Sequence, residues 1–217
     1  MVTTKNIAIK VCGMKHNTAE VAQLQPDYLG FIFYGESPRC YVDIIPALPK
    51  GIKKVGVFVN ASVVQILEKL KIYSLDVIQL HGDESVAYIS ALRKHLPPSV
   101  SIWKVFGIKD TFDFKKIAPF NAVVDALLFD TKGKHRGGNG TPFNWEVLQG
   151  YPFETPVILS GGIGLEHIEA IQQVMATNLP FLAIDVNSKF ERRPGLKDPK
   201  QLKQFIEAIQ HINTHEK

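Results

Sequence analysis

Two residues that can exchange protons stand at the ends of apolar runs. Cys12 follows the largely apolar segment 7–11, and Asp130 ends the apolar segment 126–130. A thiol acts as a base only as its thiolate, whose formation requires a pKa below the free value of ~8.5, and a carboxylate among apolar residues is costly unless it is paired. Cys12 could therefore act as a proton-transfer or nucleophilic thiolate, and Asp130 is a second candidate site residue. Cys12 could instead be a small buried apolar residue, and Asp130 could pair with Lys132.

A glycine-rich run could bind an anionic ligand. It reads SGGIG at 160–164 and stands between a predicted strand and a predicted helix. Glycines let a ligand approach the backbone closely, and the free N–H groups at a helix N-terminus bind phosphate. Gly161 and Gly162 are therefore candidate phosphate-binding residues, with Asn187 and Ser188 of the next loop completing the pocket. The alternative is a tight turn that needs glycine for a positive φ.

Three further titratable side chains accompany other apolar runs. Arg39 comes shortly after the segment 28–33, His81 directly follows 76–80, and Asp185 lies near the end of 181–186. A fold that served only a structural purpose would not need such groups at the ends of most strands. We therefore count all three as candidate site residues that could contact a ligand.

The elements that position these residues are short strands alternating with helices. The strands are near-continuous apolar runs, as expected for a parallel sheet covered on both faces. Eight are predicted, at 7–12, 28–33, 53–59, 76–80, 101–106, 126–130, 156–160 and 181–186.

Apolar spacing predicts helices at 61–71, 84–95, 165–175 and 198–212, and only short or irregular ones after the second, fifth and sixth strands. The first helix should bury a face containing Val64, Leu67 and Leu70. The last should begin with Asp198 as its N-cap and a proline at the first helical position. Its predicted apolar stripe consists of Leu202, Phe205, Ile206 and Ile209.

Strict alternation of strands and helices predicts parallel pairing with right-handed crossovers. Eight such units fit an α/β fold, the closed (β/α)8 TIM barrel, although 217 residues is near the small end of its range. An open doubly wound sheet is the alternative, because periodicity does not show closure. No linker divides the chain, so 1–217 should form a single domain. In a TIM barrel the active site lies at the carboxyl ends of the strands, where the candidate residues fall.

Composition restricts the class of protein. Hydrophobic residues make up 45% and charged residues 21%, as in soluble globular proteins. No apolar run approaches the ~20 residues that span a bilayer, and the N-terminus lacks the apolar core of a signal peptide. We expect a cytoplasmic protein without membrane contact. Cys12 and Cys40 form no CxxC pair, which disfavours a disulfide framework or a structural zinc site.

The formal net charge of +4 is a small excess, with basic clusters at 132–136 and 192–193 in predicted loops. Solvated loop charge is the simpler interpretation, and the alternative is an anionic small substrate. A nucleic-acid site would need a longer basic stripe interleaved with aromatic residues, so we expect no nucleic-acid partner.

The ordered set of strand ends resembles the phosphoribosylanthranilate isomerase family. The opening segment 9–42 contains KVCG, then GFIF and SPR, which match the family's first strands. VGVFVN, DVIQLHGDES, LLFDTK with the later GGNGTPFNW, and VILSGGI follow in the family's order. The resemblance covers about 9–198, nearly the whole chain.

The resemblance implies a (β/α)8 barrel and an Amadori rearrangement of N-(5-phosphoribosyl)anthranilate in tryptophan biosynthesis, without a metal or organic cofactor. It implies Cys12 as general base and Asp130 as general acid. Arg39 would meet the anthranilate carboxylate, which suits its planar donors, and Asp185 would orient polar groups of the substrate. The glycine run with Asn187 and Ser188 would hold the phosphate. A phosphorylated aminosugar is then the expected partner, bound by a monomer or homodimer.

The loop after the eighth strand departs from the family. Members usually read D-V-S-S-G-[VI]-E there, whereas this chain has DVNSKFE at 185–191. Lys189 in place of glycine either forbids a positive φ or adds a cation near the phosphate.

Two other functions remain open from the sequence. A related phosphosugar enzyme, such as an indole-glycerol-phosphate synthase, would use a lysine deep in the barrel, for which Lys104 is available, and a pentulose-phosphate epimerase would need a metal-binding His/Asp set. A non-catalytic phosphosugar-binding barrel would need the phosphate site but no acid–base pair, since fold does not fix function.

Overall fold

The computed structural model describes residues 7–109, 111–131 and 144–215. Eight parallel strands form a closed barrel, in which β1 pairs with both β2 and β8. The closed barrel confirms the predicted fold class and excludes the open sheet. The strands are β1 Ala8–Val11, β2 Tyr28–Ile32, β3 Lys53–Phe58, β4 Val77–Leu80, β5 Ser101–Ile108, β6 Ala126–Thr131, β7 Val157–Leu159 and β8 Phe181–Val186.

The helices around the barrel are α1 Thr18–Ala22, α2 Val63–Tyr73, α3 Val86–Arg93, α4 Ile168–Met175 and α5 Pro199–His215. Four of them, α2 to α5, lie in the predicted places, and the short additional helix α1 was not predicted. The connection after β2 contains no helix, and β5 is followed only by two short 3-10 helices, Phe114–Lys116 and Ala118–Phe120. After β6 the described chain resumes at 144 and forms the 3-10 helix Trp145–Gly150. In the described parts of the chain, no helix is long and apolar enough to cross a bilayer.

The buried face of α2 differs from the prediction. Ser62 caps the helix by accepting a hydrogen bond from the Gln65 backbone N–H. Ile66 is fully buried, whereas Val64 is 64% exposed. At 3.6 residues per turn, two positions correspond to a rotation of about 200°, so Val64 and Ile66 lie on opposite sides of the helix. The assignment of Val64 to the apolar face was therefore wrong.

The start and the buried stripe of α5 confirm the prediction. The Asp198 side chain accepts hydrogen bonds from the backbone N–H groups of Lys200 and Gln201, and Pro199 occupies the first helical position. All members of the predicted stripe are buried: Leu202, Phe205, Ile206 and Ile209.

Strand alternation decides which side chains enter the barrel. On β6 the inward positions are Ala126, Leu128 and Asp130, and on β8 they are Ala183 and Asp185, since successive residues of a strand point to opposite faces. On both strands the inner face is apolar at the amino end and acidic at the carboxyl end. The fold thus places carboxyl groups inside the barrel mouth, above an apolar floor.

Candidate active site

One cavity at the carboxyl ends of the strands collects every site residue predicted from the sequence. The phosphate-loop candidates and the acid–base candidates line the same space, although they come from four different strand ends. The predicted residues that line it are Cys12, Arg39, His81, Asp130, Gly161, Gly162, Asp185, Asn187 and Ser188.

Cys12 lies directly after β1, beside a buried ion pair. Its side chain is 5% exposed. Lys10, two residues earlier on the same face of β1, is fully buried and its Nζ lies 2.7 Å from Oδ2 of Asp185. A Cβ at Gly30 on β2 would lie 2.9 Å from Cys12 Sγ and 3.2 Å from Lys10 Cε. The absence of a side chain at Gly30 therefore lets the thiol and the lysine pack together.

The electrostatics around Cys12 correct one expectation. Burial raises the pKa of the Cys12 thiol, and the nearby positive charge of Lys10 opposes this without reversing it. Burial alone would lower the pKa of Lys10, but the charges of Asp185 and Cys12 outweigh it, so the lysine stays protonated. The charge of Lys10 acts in the direction that a thiolate base requires. Burial dominates, however, so the net shift of the Cys12 pKa is upward and not downward.

Asp130 stands at the inward end of β6, opposite an imidazole. Its Oδ2 lies 3.6 Å from Nε2 of His81, at the end of β4. Its Oδ1 accepts a hydrogen bond of 3.0 Å from the Thr131 backbone N–H. The alternative partner Lys132, like the rest of the cluster at 132–136 and most of the GGNGTPFNW motif, lies outside the described residues.

The glycine run after β7 adopts the geometry expected of a close-approach loop. Gly161 has φ +94° and Gly162 has φ +70°, a region that glycine enters without strain. A Cβ at Gly161 would lie 2.5 Å from the Thr131 backbone nitrogen and 2.6 Å from Asp130 Oδ1. The positive φ values agree with the interpretation of this run as a tight turn. The run also places backbone without side chains at the cavity beside Asp130, where a ligand can contact it.

The loop after β8 adds three side chains to the same wall. The side-chain oxygen of Asn187 is already engaged within the protein, because Oδ1 accepts a hydrogen bond of 2.7 Å from Lys197 Nζ. Ser188 begins a short 3-10 helix, Ser188–Phe190. Lys189 lies in that helix without a positive φ, lines the cavity, and places its Nζ 3.0 Å from Glu166 Oε1. The backbone at position 189 therefore does not need the positive φ that only glycine adopts easily, and Lys189 can be accommodated there.

Arg39 reaches the cavity from the connection after β2. Its side chain passes beside Gly13, where a Cβ would lie 2.8 Å from Arg39 Cδ. Its guanidinium is held by Glu191: Nε donates to both carboxylate oxygens at 3.0 Å, and Nη2 donates to Oε2 at 2.7 Å. Arg39, which is predicted to bind a substrate carboxylate, is thus already bound to the Glu191 carboxylate along one edge of its guanidinium group.

The sequence prediction missed three buried charged residues around the site, Lys10, Glu191 and Lys197. Lys10 carried a usable signal, since a lysine within an apolar strand two positions before Cys12 must point into the barrel. Glu191 and Lys197 face each other across an antiparallel hairpin of β9 Glu191–Arg193 and β10 Leu196–Lys197, with Lys197 Nζ 2.9 Å from Glu191 Oε1. Nothing in the local sequence marks that pair.

The barrel and its rim define a class of protein, a (β/α)8 barrel with titratable side chains and a glycine-rich loop around one cavity at the carboxyl ends of its strands. The profile of the protein family described as N-(5'phosphoribosyl)anthranilate (PRA) isomerase matches residues 8–208. The chain therefore belongs to this family, the isomerases that act in tryptophan biosynthesis.

Individual relatives agree with that assignment. An N-(5'-phosphoribosyl)anthranilate isomerase from Parabacteroides distasonis is 44% identical over 212 residues, which are 94% of this chain and 93% of the relative. One from a Thermoanaerobacter species is 38% identical, over 95% of this chain and 99% of its own. The phosphoribosyl anthranilate isomerase of Thermus thermophilus shares the fold, with a TM-score of 0.79 at 24% identity and coverage of 95% and 100%.

The family assignment sets aside the alternative functions, and the structure accounts for Lys104. This lysine is buried, lies 3.1 Å from Glu84 Oε2 and donates to the Gly82 carbonyl, away from the residues that line the cavity. It is therefore engaged in holding the β4–α3 connection rather than a ligand. Within the described ranges, no group of three or more His, Cys, Asp or Glu side chains could hold a metal ion.

Proposed function

We propose that this chain, as a single domain, converts N-(5-phosphoribosyl)anthranilate to 1-(2-carboxyphenylamino)-1-deoxyribulose 5-phosphate by acid–base catalysis. In this proposal Asp130 is the general acid and Cys12 is the general base. The supporting observation is that a thiol on β1 and a carboxyl on β6 line one cavity together with the glycine loop after β7. The steps require only proton transfers, which side chains can perform.

The first step opens the ribose ring. Asp130 donates a proton to the ring oxygen, the bond between that oxygen and C1 breaks, and the nitrogen lone pair forms a C1=N double bond. The ring oxygen leaves as the C4 hydroxyl group, and Asp130 is left as a carboxylate. The position of Asp130 at the mouth of the barrel suits this role, because its Oδ2 faces Nε2 of His81 at 3.6 Å and the resulting carboxylate therefore has a polar neighbour.

The second step moves the proton at C2. The Cys12 thiolate removes this proton, the electrons of the C–H bond form a C1=C2 double bond, and the nitrogen recovers its lone pair. Tautomerisation of the resulting enol then transfers its hydroxyl proton to C1 through solvent and gives the ketone. The proton held by Cys12 returns through solvent to Asp130, which restores both groups. The buried ammonium of Lys10, which favours the thiolate electrostatically, supports Cys12 as the base.

The other cavity residues would bind the substrate. Arg39 would meet the anthranilate carboxylate, while His81 and Asp185 would orient the hydroxyl groups. The phosphate would be held by backbone N–H groups of the glycine loop and of the loop after β8, involving Gly161, Gly162, Asn187 and Ser188. A solved phosphoribosyl anthranilate isomerase, with a TM-score of 0.76 at 25% identity and coverage of 94% and 99%, is in complex with reduced 1-(o-carboxyphenylamino)-1-deoxyribulose 5-phosphate. We expect a monomer or a homodimer, and the isomerase of Thermotoga maritima is described as dimeric.

The test follows turnover by the fluorescence of the anthranilate adduct. Asp130→Asn should lower kcat by at least ~10²-fold, the usual contribution of positioned proton transfer, while still binding the reduced product analogue. Asp113→Asn, at an exposed N-cap that does not line the cavity, is the matched control and should keep wild-type kcat. If Asp130→Asn keeps more than about a tenth of the wild-type rate, the general-acid role is wrong. A wild-type protein without isomerase activity would overturn the proposal as a whole.

A further inference from the structure

One edge of the Arg39 guanidinium is fixed by a protein carboxylate. Glu191 accepts from Nε at 3.0 Å and from Nη2 at 2.7 Å, which is the two-point contact that sets both the position and the plane of a guanidinium. This contact uses the Nε–Nη2 edge. It leaves the Nη1–Nη2 edge, which offers a second pair of donors with the spacing of a carboxylate.

Glu191 lies behind Arg39 and not in the cavity. Arg39 lines the cavity and is 17% exposed, whereas the Glu191 side chain is 3% exposed and is absent from the lining. Glu191 is itself held from the far side, because its Oε1 accepts from Lys197 Nζ at 2.9 Å and from the Gly195 backbone N–H at 3.0 Å. A carboxylate anchored in this way cannot stand in for a ligand, but it can serve as a fixed support for Arg39.

Two basic side chains of this buried cluster compete for one carboxylate. Arg39 and Lys197 share the single carboxylate of Glu191. Burial would raise the pKa of Glu191, but the hydrogen bond from Arg39 and the charge of Lys197 outweigh it and keep this pKa below its ordinary value. Glu191 is therefore ionised. Burial lowers the pKa of Lys197 despite the charge of Glu191, so the cation that an anionic group of a ligand would meet at the cavity is Arg39.

We propose that Glu191 is a positioning residue that gives the site its specificity for a substrate carboxylate. By holding one edge of the Arg39 guanidinium, Glu191 would orient the other edge toward the cavity. The substrate carboxylate would then bind a guanidinium that is already ordered, so that little conformational entropy is lost on binding. Lys197 keeps Glu191 in place and connects it to Asn187 of the proposed phosphate wall. This inference rests on the proposed function, since it assigns the carboxylate of that substrate to Arg39.

The experiment compares two ligands that differ in a single group. The first is the reduced product analogue, and the second is its phenylamino counterpart without the carboxyl group; Kd is measured for both by calorimetric titration. Glu191→Gln leaves only one acceptor, so the two-point contact is lost. We expect the preference for the carboxylated ligand to fall by about tenfold or more, the cost of a charged hydrogen bond. The Kd of the phenylamino ligand should stay within about twofold, since RT ln 2 is well below the energy of one hydrogen bond.

Two controls separate positioning from general damage. Glu207→Gln makes the same chemical change in an exposed pair with Lys203 on α5 and should leave both Kd values unchanged. Arg39→Lys should lose the preference, and adding Glu191→Gln to it should cost little more, because Glu191 acts through the guanidinium. If Glu191→Gln does not fold, Glu191→Asp tests the same contact by withdrawing the carboxylate one methylene group.

The possible results separate the inference from the proposed function. Equal weakening of both ligands by Glu191→Gln would show a merely structural role and overturn the inference, as would an unchanged preference. Tighter binding of the carboxylated ligand would show that Glu191 competes with it, and would also overturn the inference. If the wild-type protein turns over substrate but Glu191→Gln keeps the preference, only the inference fails. If the wild-type protein binds neither ligand, the proposed function fails as well.

Discussion

Lys10 and Asp185 form an ion pair inside the barrel mouth, with Nζ 2.7 Å from Oδ2 and with side chains that are 0% and 5% exposed. The pair joins β1 to β8, the two strands that close the barrel. Because Cys12 lies beside Lys10 at the end of β1, the same buried ammonium group serves the ion pair that joins β1 to β8 and the proposed catalytic base. Changes to Lys10 should therefore affect both the stability of the fold and the pH dependence of catalysis.

Lys10→Met should shift the pH dependence of catalysis. The variant removes the positive charge that lowers the pKa of Cys12 and leaves the burial that raises it. A base with a higher pKa is active only at higher pH, so the ascending limb of kcat/KM, which reports groups of the free enzyme, should move upward in pH. Rates measured across the pH range check this. An ascending limb at the wild-type position would show that Lys10 does not influence the pKa of the catalytic base.

The same variant should unfold more easily. Removing one partner of a buried ion pair leaves Asp185 uncompensated, which typically costs about 3–5 kcal/mol. Adding Asp185→Asn should recover part of that stability, because no buried charge then remains unpaired. Thermal unfolding of both variants checks this. A Lys10→Met protein as stable as the wild type would mean that the ion pair contributes nothing to folding.

Arg39→Ala should act on substrate binding more than on the chemical steps. Loss of a charge-assisted contact to the substrate carboxylate should raise KM by about tenfold or more, with a smaller change in kcat because Arg39 moves no proton. Arg192→Ala is the control, since that arginine is 61% exposed and pairs with Asp198 on the outer surface. Steady-state kinetics decide the matter, and an unchanged KM would remove Arg39 from the substrate site.

Gly161→Ala should damage the phosphate loop locally. A side chain at φ +94° is strained by about 1–2 kcal/mol, and the added Cβ would lie 2.5 Å from the Thr131 backbone nitrogen. We expect a raised KM together with reduced stability, measured by kinetics and thermal unfolding. Gly150→Ala is the matched control, because its Cβ would meet nothing closer than 3.6 Å. Wild-type KM in Gly161→Ala would mean that this backbone does not bind substrate.

Alternation and strand order explain why so much of the site was predictable. A strand exposes every second residue to the barrel interior, so Cys12, Asp130 and Asp185 could be placed at one rim from their positions in apolar runs alone. Their common cavity then follows from closure of the barrel. Val64 was misplaced because the apolar spacing of α2 fits more than one face, and only packing against the barrel selects Ile66.

Contacts between distant loops were not predictable. Glu191 and Arg39 are 152 residues apart in the chain, and their bond depends on how the hairpin after β8 folds across the barrel mouth. Likewise, the direction of the Cys12 pKa depends on how far burial outweighs one neighbouring cation, which requires atomic positions. Periodicity reports which face a residue occupies, but not which charge it meets there.

Lys189→Ala should weaken phosphate binding without affecting stability. Lys189 lines the cavity beside Ser188 and pairs with Glu166 at 3.0 Å, and both side chains are more than a third exposed. Such a surface pair contributes only about 0–1 kcal/mol to folding, so unfolding should be unchanged, while loss of the cation should raise both KM and the inhibition constant of inorganic phosphate. Glu166→Gln is the opposing control, because it releases Lys189 toward the phosphate and should lower that inhibition constant. Added salt should diminish both effects, since it screens exposed charges. If phosphate inhibits the wild type and Lys189→Ala equally, Lys189 serves only its pair with Glu166.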